Sequence, residues 1–246
     1  MGEAEKGNGK KILFTILFAI VFTGIMVFAL TSDIFKVKSV EVKNVKNLDI
    51  DKIKKDSGIV EGRNIFLQRY FKGIFKLKEN ARIQEAKIYP VFPDKIEIYI
   101  EERNENYQIS DENGYYIIDK NGYILRKSDE LQKVIMLLGL KTTELSQKNR
   151  IDREDLDVLE KINKIKYVLD YYNLTDKVTS IEKKGRQFIL DLKDEKKKII
   201  LKEELTELRA QISISKHIIE TEKGKEGEIF NDKNQKRSYM VFREKI

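Results

Sequence analysis

The sequence contains no cysteine and no tryptophan, and His217 is its only histidine. Without cysteine the chain has no thiolate nucleophile and no sulfur ligand for zinc. A single histidine has no second imidazole with which to share a metal, and a Ser–His–Asp site would depend on it alone. We therefore expect His217, within a predicted helix at 203–220, to be an ordinary surface or half-buried residue. The lack of cysteine also agrees with an exported domain that avoids stray disulfides.

Motifs of other enzyme classes are missing or isolated. The chain has no phosphate-binding loop and no dinucleotide fingerprint. Ser213 and Lys216 match the Ser-x-x-Lys motif of penicillin-recognising enzymes, but the motifs that accompany it there are poorly imitated and precede it here. We predict no catalytic residue, no metal ligand, no cofactor and no small-molecule substrate. An anchored envelope enzyme of unfamiliar chemistry is kept as an alternative.

Charge is abundant but not concentrated. The chain has 48 Lys and Arg residues against 41 Asp and Glu residues, a formal net charge of +7. Acidic and basic residues are interleaved, and no long basic block occurs. A nucleic-acid-binding protein usually gathers its positive charge in one patch with aromatic residues beside it. We interpret the charges as a solvated surface and predict no nucleic-acid partner.

One long apolar run, Ile12–Leu30, contains no charged residue. As a helix it would span about 28 Å, close to the thickness of a bilayer's hydrocarbon core. A secretory signal peptide has a shorter apolar core, about 7–15 residues, and a small-x-small cleavage site, which the flank at 28–32 does not offer. The sequence therefore predicts an uncleaved single-pass membrane helix at 12–32, after a cytoplasmic tail at 1–11.

Lysines on both sides of this run bear on its orientation. Three precede it, at Lys6, Lys10 and Lys11, and Lys36 and Lys38 follow it. Since positive residues favour the cytoplasmic side of a membrane, the difference favours a cytoplasmic N-terminus with the rest of the chain outside the cell membrane.

The residues after the apolar run predict a first unit at 33–103. Strands are expected at 35–42, 83–89 and 95–101, the last from the strict alternation of Ile96, Ile98 and Ile100. Two helices are expected between the first and second strands, at 48–56 with Asn47 as its cap and at 65–77 with Asn64 as its cap. Both prolines, Pro90 and Pro93, fall between the last two strands, where we expect them to end one strand and turn the chain.

A second unit is predicted at 104–242. Two Asn-Gly pairs, at 113–114 and 121–122, separate three short strands and predict a meander. An apolar run at 134–140 is expected to be a buried strand, followed by an amphipathic helix at 155–172. Further strands are expected at 178–181, 188–192, 198–201, 228–230 and 239–242, with the helix at 203–220 among them and a polar loop at 231–238.

The order of the first unit, strand, helix, helix, strand, strand, is that of a POTRA domain. A POTRA domain directly after one membrane helix resembles the bacterial division protein FtsQ, called DivIB in other bacteria. The residues that carry this resemblance are Phe35-x-Val37, Gly62-x-Asn64-Ile65, Ala86-x-Ile88, Pro93-Asp94, Ile96-x-Ile98-x-Ile100-Glu101-Glu102-Arg103 and, in the second unit, Asp119-x-x-Gly122.

The resemblance implies an α+β protein. Its parts are a single N-terminal transmembrane helix, a POTRA domain (β-α-α-β-β) at 33–103, a mixed β-sheet domain with flanking helices at 104–242, and a C-terminal tail at 243–246. The resemblance further implies a non-enzymatic divisome scaffold in the bacterial cell membrane at the division septum. Such a protein recruits FtsB- and FtsL-like proteins, meets other divisome proteins, and links septum assembly to peptidoglycan synthesis.

The last predicted strand is the candidate binding edge. The unpaired N–H and C=O groups of an edge strand form a template for a partner strand. An ordinary strand inside the sheet is the alternative for these residues. In the family, the C-terminal strands bind FtsB, which pairs with FtsL, so the resemblance favours the edge. The predicted partner-binding residues are Ile229, Phe230, Tyr239, Met240, Val241 and Phe242.

An alternative function is that of a POTRA-containing envelope assembly or transport factor that acts as a substrate chaperone. Such proteins usually repeat the module or add a series of lipid-facing strands. The sequence has one POTRA-like unit and no such series.

Overall fold

The computed structural model describes residues 4–142, 145–147, 149–193, 196–231 and 239–245. The chain divides into two units, 1–102 and 103–246. Residues 1–3 of the predicted tail, most of the predicted loop at 231–238 and the last residue, Ile246, lie outside the described residues.

The first helix, α1 (Ala4–Thr31), contains the apolar run. Its part from Gly9 to Thr31 is long and apolar enough to cross a membrane. The apolar side chains of this part lie on the surface, as expected for a helix surrounded by lipid. After α1 the chain makes a short 3-10 turn, Asp33–Phe35, and enters the first sheet.

Among the residues that the structure describes, the first sheet has three strands, β1 (Ser39–Lys43), β2 (Ile83–Val91) and β3 (Lys95–Glu102), in the order β1-β3-β2. β1 runs parallel to the central β3, and β2 runs antiparallel to it. Two helices, α2 (Ile50–Ser57) and α3 (Tyr70–Lys78), complete the POTRA order that the sequence predicted. Their apolar faces and one face of the sheet enclose a core of Val37, Val40, Ile53, Ile65, Leu77, Ile83, Ala86, Ile88, Ile96, Ile98 and Ile100.

The cap of α2 differs from the prediction. Asp49, not Asn47, caps this helix, and its Oδ1 accepts hydrogen bonds from the N–H groups of Asp51 and Lys52 at 2.9 and 3.2 Å. The N–H of Asn47 instead donates to the carboxylate of Glu102 at the end of β3. A contact between residues so distant in sequence competes with the local cap, and local sequence does not reveal it.

The segment after Asn64 also differs from the prediction. Asn64 accepts a hydrogen bond from the N–H of Phe66, as a cap does, but it starts only a 3-10 turn at Ile65–Leu67 before α3 begins. The expectation that Pro90 ends its strand is wrong, since Pro90 lies inside β2 and pairs with Ile96. β2 is an edge strand, where a proline can direct its missing donor away from the sheet.

A cluster of charges lies on the polar face of β3. The carboxylate of Glu97 accepts hydrogen bonds from Lys43 Nζ at 2.6 Å and from the hydroxyl of Tyr99 at 2.8 Å. Lys95 Nζ lies 3.1 Å from the same carboxylate. The bonds from Lys43, Tyr99 and Lys95 lower the pKa of Glu97 to about 2.

This lowered pKa predicts an acid-dependent contribution to stability. Because the folded-state pKa is depressed, the contribution is complete above the ordinary pKa of 4.5 and is lost as the pH falls toward about 2. We expect the advantage of the wild-type chain over Glu97→Gln in thermal midpoint to shrink across this window, measured by circular dichroism in detergent. Glu61→Gln, at an exposed loop carboxylate, is the control. A wild-type advantage that is the same at pH 6 and pH 3 would contradict the prediction.

In the described part of the second unit, nine strands form a mixed sheet with two helices. In chain order its elements are β4 (Tyr107–Asp111), β5 (Gly114–Ile118), β6 (Ile124–Ser128), β7 (Ile135–Leu138), α4 (Arg153–Tyr171), β8 (Val178–Lys184), β9 (Gln187–Leu192), β10 (Lys197–Lys202), α5 (Leu208–Thr221), β11 (Gly227–Asn231) and β12 (Met240–Glu244). The strand order is β12-β11-β10-β9-β8-β7-β4-β5-β6. The predicted fold class is therefore confirmed.

Helical crossover connections account for two of the parallel pairs among the described strands of this sheet, and the third, β4 with β7, is connected through β5 and β6. β7 and β8 are parallel and joined through α4, and β10 and β11 are parallel and joined through α5. Parallel neighbours need a crossover connection, and in these two pairs it carries a helix onto a face of the sheet. The residues buried between helices and sheet include Ile181, Leu190, Ile199 and Ile229, which lie in register on four strands.

Candidate partner-binding edge

The last strand, β12, lies at one edge of the nine-stranded sheet. It pairs antiparallel with β11, from Gly227 opposite Glu244 to Asn231 opposite Met240. Within the part of the chain that the structure describes, no strand lies on its other side. The sequence prediction placed the edge on this strand but ended it at Phe242; the strand continues through Glu244, into the segment predicted as a tail.

Two backbone hydrogen bonds show which residues of β12 face outward. The N–H of Lys245 donates to the carbonyl of Glu226 at 2.9 Å, so this opposite pair is a hydrogen-bonded one. The N–H of Gly227 donates to the carbonyl of Lys196, just before β10, so the backbone groups of Gly227 point away from β12. The backbone N–H and C=O of the next residue, Glu228, therefore point toward β12. Antiparallel pairs alternate between bonded and non-bonded.

It follows that Val241 and Arg243 bond to β11, while three other residues of β12 turn their N–H and C=O groups away from the sheet. These three are Met240, Phe242 and Glu244. They place outward donors and acceptors every second residue, about 6.6 Å apart, which is the repeat that an added strand requires.

Apolar packing holds the edge strand in place. Met240 is 2% exposed and Phe242 packs against the same core, on the sheet face that α5 covers. Ile229, on the neighbouring β11, is fully buried behind them. The side chains of Met240 and Ile229 therefore anchor the strand, and Met240 offers a partner only its backbone.

The opposite face of the edge is partly open. Val241, Phe230, Ile200 and Ile189 lie in register on four adjacent strands, and each is half-buried. The guanidinium of Arg243 lies over the Phe230 ring, 4.4 Å from its centroid, and covers part of it. Tyr239, just before the strand, is 53% exposed. Of the six predicted binding residues, Phe230, Tyr239 and Val241 therefore have side-chain surface that the core does not cover. Phe242 is also half-buried, but it packs against the core.

The far end of the edge carries ion pairs that the sequence analysis missed. Lys225 Nζ lies 2.6 Å from Glu222 and 3.9 Å from Glu244, and Lys245 Nζ lies 3.1 Å from Glu226. The hydrogen bond and charge of Glu222, with the charge of Glu244, raise the pKa of Lys225. The consecutive charged residues after Phe242, at 243–245, were the available signal, since charged residues are common on natural edge strands.

Comparisons with known proteins agree with the fold of the first unit. Residues 35–103 match the family described as POTRA domain, FtsQ-type. The chain is 29% identical over 137 residues to a cell division protein DivIB of Clostridium botulinum strain Hall, an alignment that covers 55% of this chain and 53% of that protein. It is 34% identical over 82 residues to a cell division protein FtsQ of Syntrophotalea carbinolica, covering 33% of this chain and 28% of that protein. The chain thus spans about half the length, or less, of these curated relatives.

Proposed function

We propose that the chain is a member of the FtsQ/DivIB family and acts as a non-enzymatic divisome scaffold. It recruits FtsB- and FtsL-like proteins through its extracytoplasmic units and so links septum assembly to peptidoglycan synthesis. The supporting observation is the outward backbone of Met240, Phe242 and Glu244 on an edge strand that the core holds rigid. An edge of this kind binds by adding a strand and needs no catalytic group.

The proposed topology rests on α1. This helix crosses the cell membrane once, with the N-terminus in the cytoplasm and both folded units on the outer side, at the division septum. Support comes from the length and hydropathy of Gly9–Thr31 and from the lysine excess before it. Protease added to intact spheroplasts should therefore digest most of the chain, and survival of the bulk until lysis would contradict this topology.

Localisation and co-purification test the proposed role together. A fluorescent fusion of the full chain should form a ring at midcell, and the tagged full chain should co-purify with the FtsB- and FtsL-like proteins of the same cell. Uniform envelope staining without co-purification would contradict the division role and favour an assembly or transport factor. A midcell ring without co-purification would leave the chain at the septum but overturn the proposed partners.

A further inference from the structure

The side chain of Asn64 joins the end of α1 to the POTRA domain. Its amide Nδ2 donates to the carbonyls of Ala29 and Leu30 at 2.8 and 3.1 Å, and its Oδ1 accepts from the N–H of Phe66. The last carbonyls of a helix have no partner within the helix, so Asn64, 7% exposed, satisfies two of them. The junction therefore fixes which surface of the POTRA domain lies beside the end of α1.

A row of aromatic rings continues from α1 onto that surface. Phe28 of α1 contacts Phe35 edge to face, with centroids 6.3 Å apart. Phe35 contacts Phe66, and Phe66 contacts Phe92, each pair at 5.3 Å between centroids. The four rings form a continuous path from the helix to the connection between β2 and β3.

The connection between β2 and β3 is tied to the residues that follow α1. The N–H of Lys38 donates to the carbonyl of Asp94 at 2.7 Å, and Lys38 Nζ pairs with the carboxylate of Asp94 at the same distance. The connection is thus held at the end of the domain from which α1 leaves. The large apolar side chains that remain exposed at this end are Ile34, Phe66, Leu67, Val91 and Phe92. We call them the junction patch.

Packing among the rings does not cover the junction patch. Phe92 is 57% exposed and Phe66 is 45% exposed although each contacts a neighbouring ring. Each Å² of apolar surface left exposed to water is unfavourable by about 25 cal/mol compared with buried surface. Large exposed apolar patches on proteins mark a binding surface for a protein or for a membrane.

We propose that the junction patch lies in the outer interface of the membrane that α1 crosses. The proposal rests on the spanning role of α1. Gly9–Thr31 has 23 residues, about 34 Å as a helix, slightly more than the hydrocarbon core of about 30 Å. Leu30 and Thr31 therefore reach the headgroup region, and the residues that contact this end of the helix are at the same depth. Aromatic and apolar side chains are stable at that depth, within about 5–10 Å of the acyl chains.

The occupant is lipid rather than a partner protein because the patch is continuous with α1. The contacts of Asn64 and Phe35 leave no length of free chain between helix and domain to lift the patch away from the bilayer. The lipid contact would hold the POTRA domain at one height and tilt above the membrane. The membrane helix and the POTRA domain of this chain would then be held at the membrane as a single body.

The absence of tryptophan from the chain allows a direct test. We would introduce single tryptophans into the full chain, reconstitute it in vesicles, and compare fluorescence in ordinary lipid and in lipid brominated near the headgroup end of its acyl chains. Phe92→Trp reports on the junction patch. Glu101→Trp is the matched control, exposed on β3 about 20 Å farther along the strand from Lys95. Phe22→Trp, within α1, reports on the span and is read with lipid brominated deep in the chains.

We expect Phe92→Trp to lose most of its emission in brominated lipid, and Glu101→Trp to keep it. Quenching of Phe22→Trp without quenching of Phe92→Trp would overturn the lipid contact and leave the spanning helix standing. Failure to quench Phe22→Trp would overturn the span, and with it both the proposed topology and this inference. Equal quenching of Phe92→Trp and Glu101→Trp would contradict a contact made through the junction patch.

Discussion

Replacing Asp119 with alanine should lower the free energy of unfolding of the second unit by about 3–5 kcal/mol. Asp119 is 2% exposed, and its Oδ1 accepts hydrogen bonds from the N–H groups of Asn121 and Tyr123 at 2.9 and 2.8 Å. Its Oδ2 accepts from Arg103 at 2.8 Å. One carboxylate thus shapes the β5–β6 turn and neutralises a guanidinium.

The large effect comes from the groups that the substitution leaves behind. Arg103 would remain mostly buried without its carboxylate, and the cost of an unpaired buried charge exceeds that of a lost neutral hydrogen bond. Its guanidinium lies 4.0 Å from the centroid of the Tyr123 ring, which restricts its escape to water. Two turn N–H groups would lose their acceptor as well.

Asp111 offers a matched control in the preceding hairpin. Its Oδ1 accepts from the N–H of Asn113 at 2.7 Å in a similar local geometry, but its carboxylate is half-buried and its partners are Asn113, Gly114 and Tyr116, with no arginine among the described contacts. We expect Asp111→Ala to cost about 1 kcal/mol or less. Guanidinium unfolding of both variants in detergent, followed by circular dichroism, measures the difference. Equal costs would show that Asp119 acts only as a turn residue.

The elements of the first unit were predictable because each carries a local pattern. The alternation of Ile96, Ile98 and Ile100 defined β3, and Gly58, which adopts a left-handed φ of 63°, marked the end of α2. The errors arose where a distant residue decides the outcome. Asn47 is bonded to Glu102 instead of capping α2, and Pro90 is tolerated because β2 is at an edge.

The order of the large sheet was beyond local patterns. β6 precedes β7 in the chain, yet β6 lies at an edge and β7 pairs with β4 and β8. The parallel contact of β7 with β8 depends on how α4 crosses the sheet, and the parallel contact of β7 with β4 depends on how the chain returns past β5 and β6. Strand periodicity encodes neither choice. The proposal that the last strand is a binding edge is favoured by the resemblance to a family and not by periodicity.

The direction of each backbone group on β12 was also beyond prediction. A shift of one residue in register exchanges the inward and outward groups, and only the contacts of Lys245 and Gly227 fix it. This detail changes how the edge should be tested. The N–H of Val241 bonds to β11, so Val241→Pro would break the sheet as well as any partner contact.

Glu244→Pro should weaken association with the proposed FtsB-like partner about fivefold or more while leaving the sheet folded. The N–H of Glu244 faces outward and its side chain is exposed, so proline removes a donor that the sheet does not use. A partner carbonyl left without that donor costs about 1–3 kcal/mol, which is about fivefold to more than a hundredfold in Kd.

Glu244→Ala is the control that isolates the backbone. Both substitutions remove the 3.9 Å contact with Lys225, but alanine keeps the N–H. We expect Glu244→Ala to bind within about threefold of the wild-type chain, and both variants to unfold at the same guanidinium concentration. Affinity is measured between the full chain and the proposed FtsB-like partner in vesicles.

If the proline and alanine variants bind equally well, the partner recognises side chains rather than the outward backbone groups, and strand addition at β12 is wrong. Because side-chain recognition would instead depend on Tyr239 and Phe230, Tyr239→Ala in the same assay then distinguishes a side-chain interface on this edge from a partner site elsewhere on the chain.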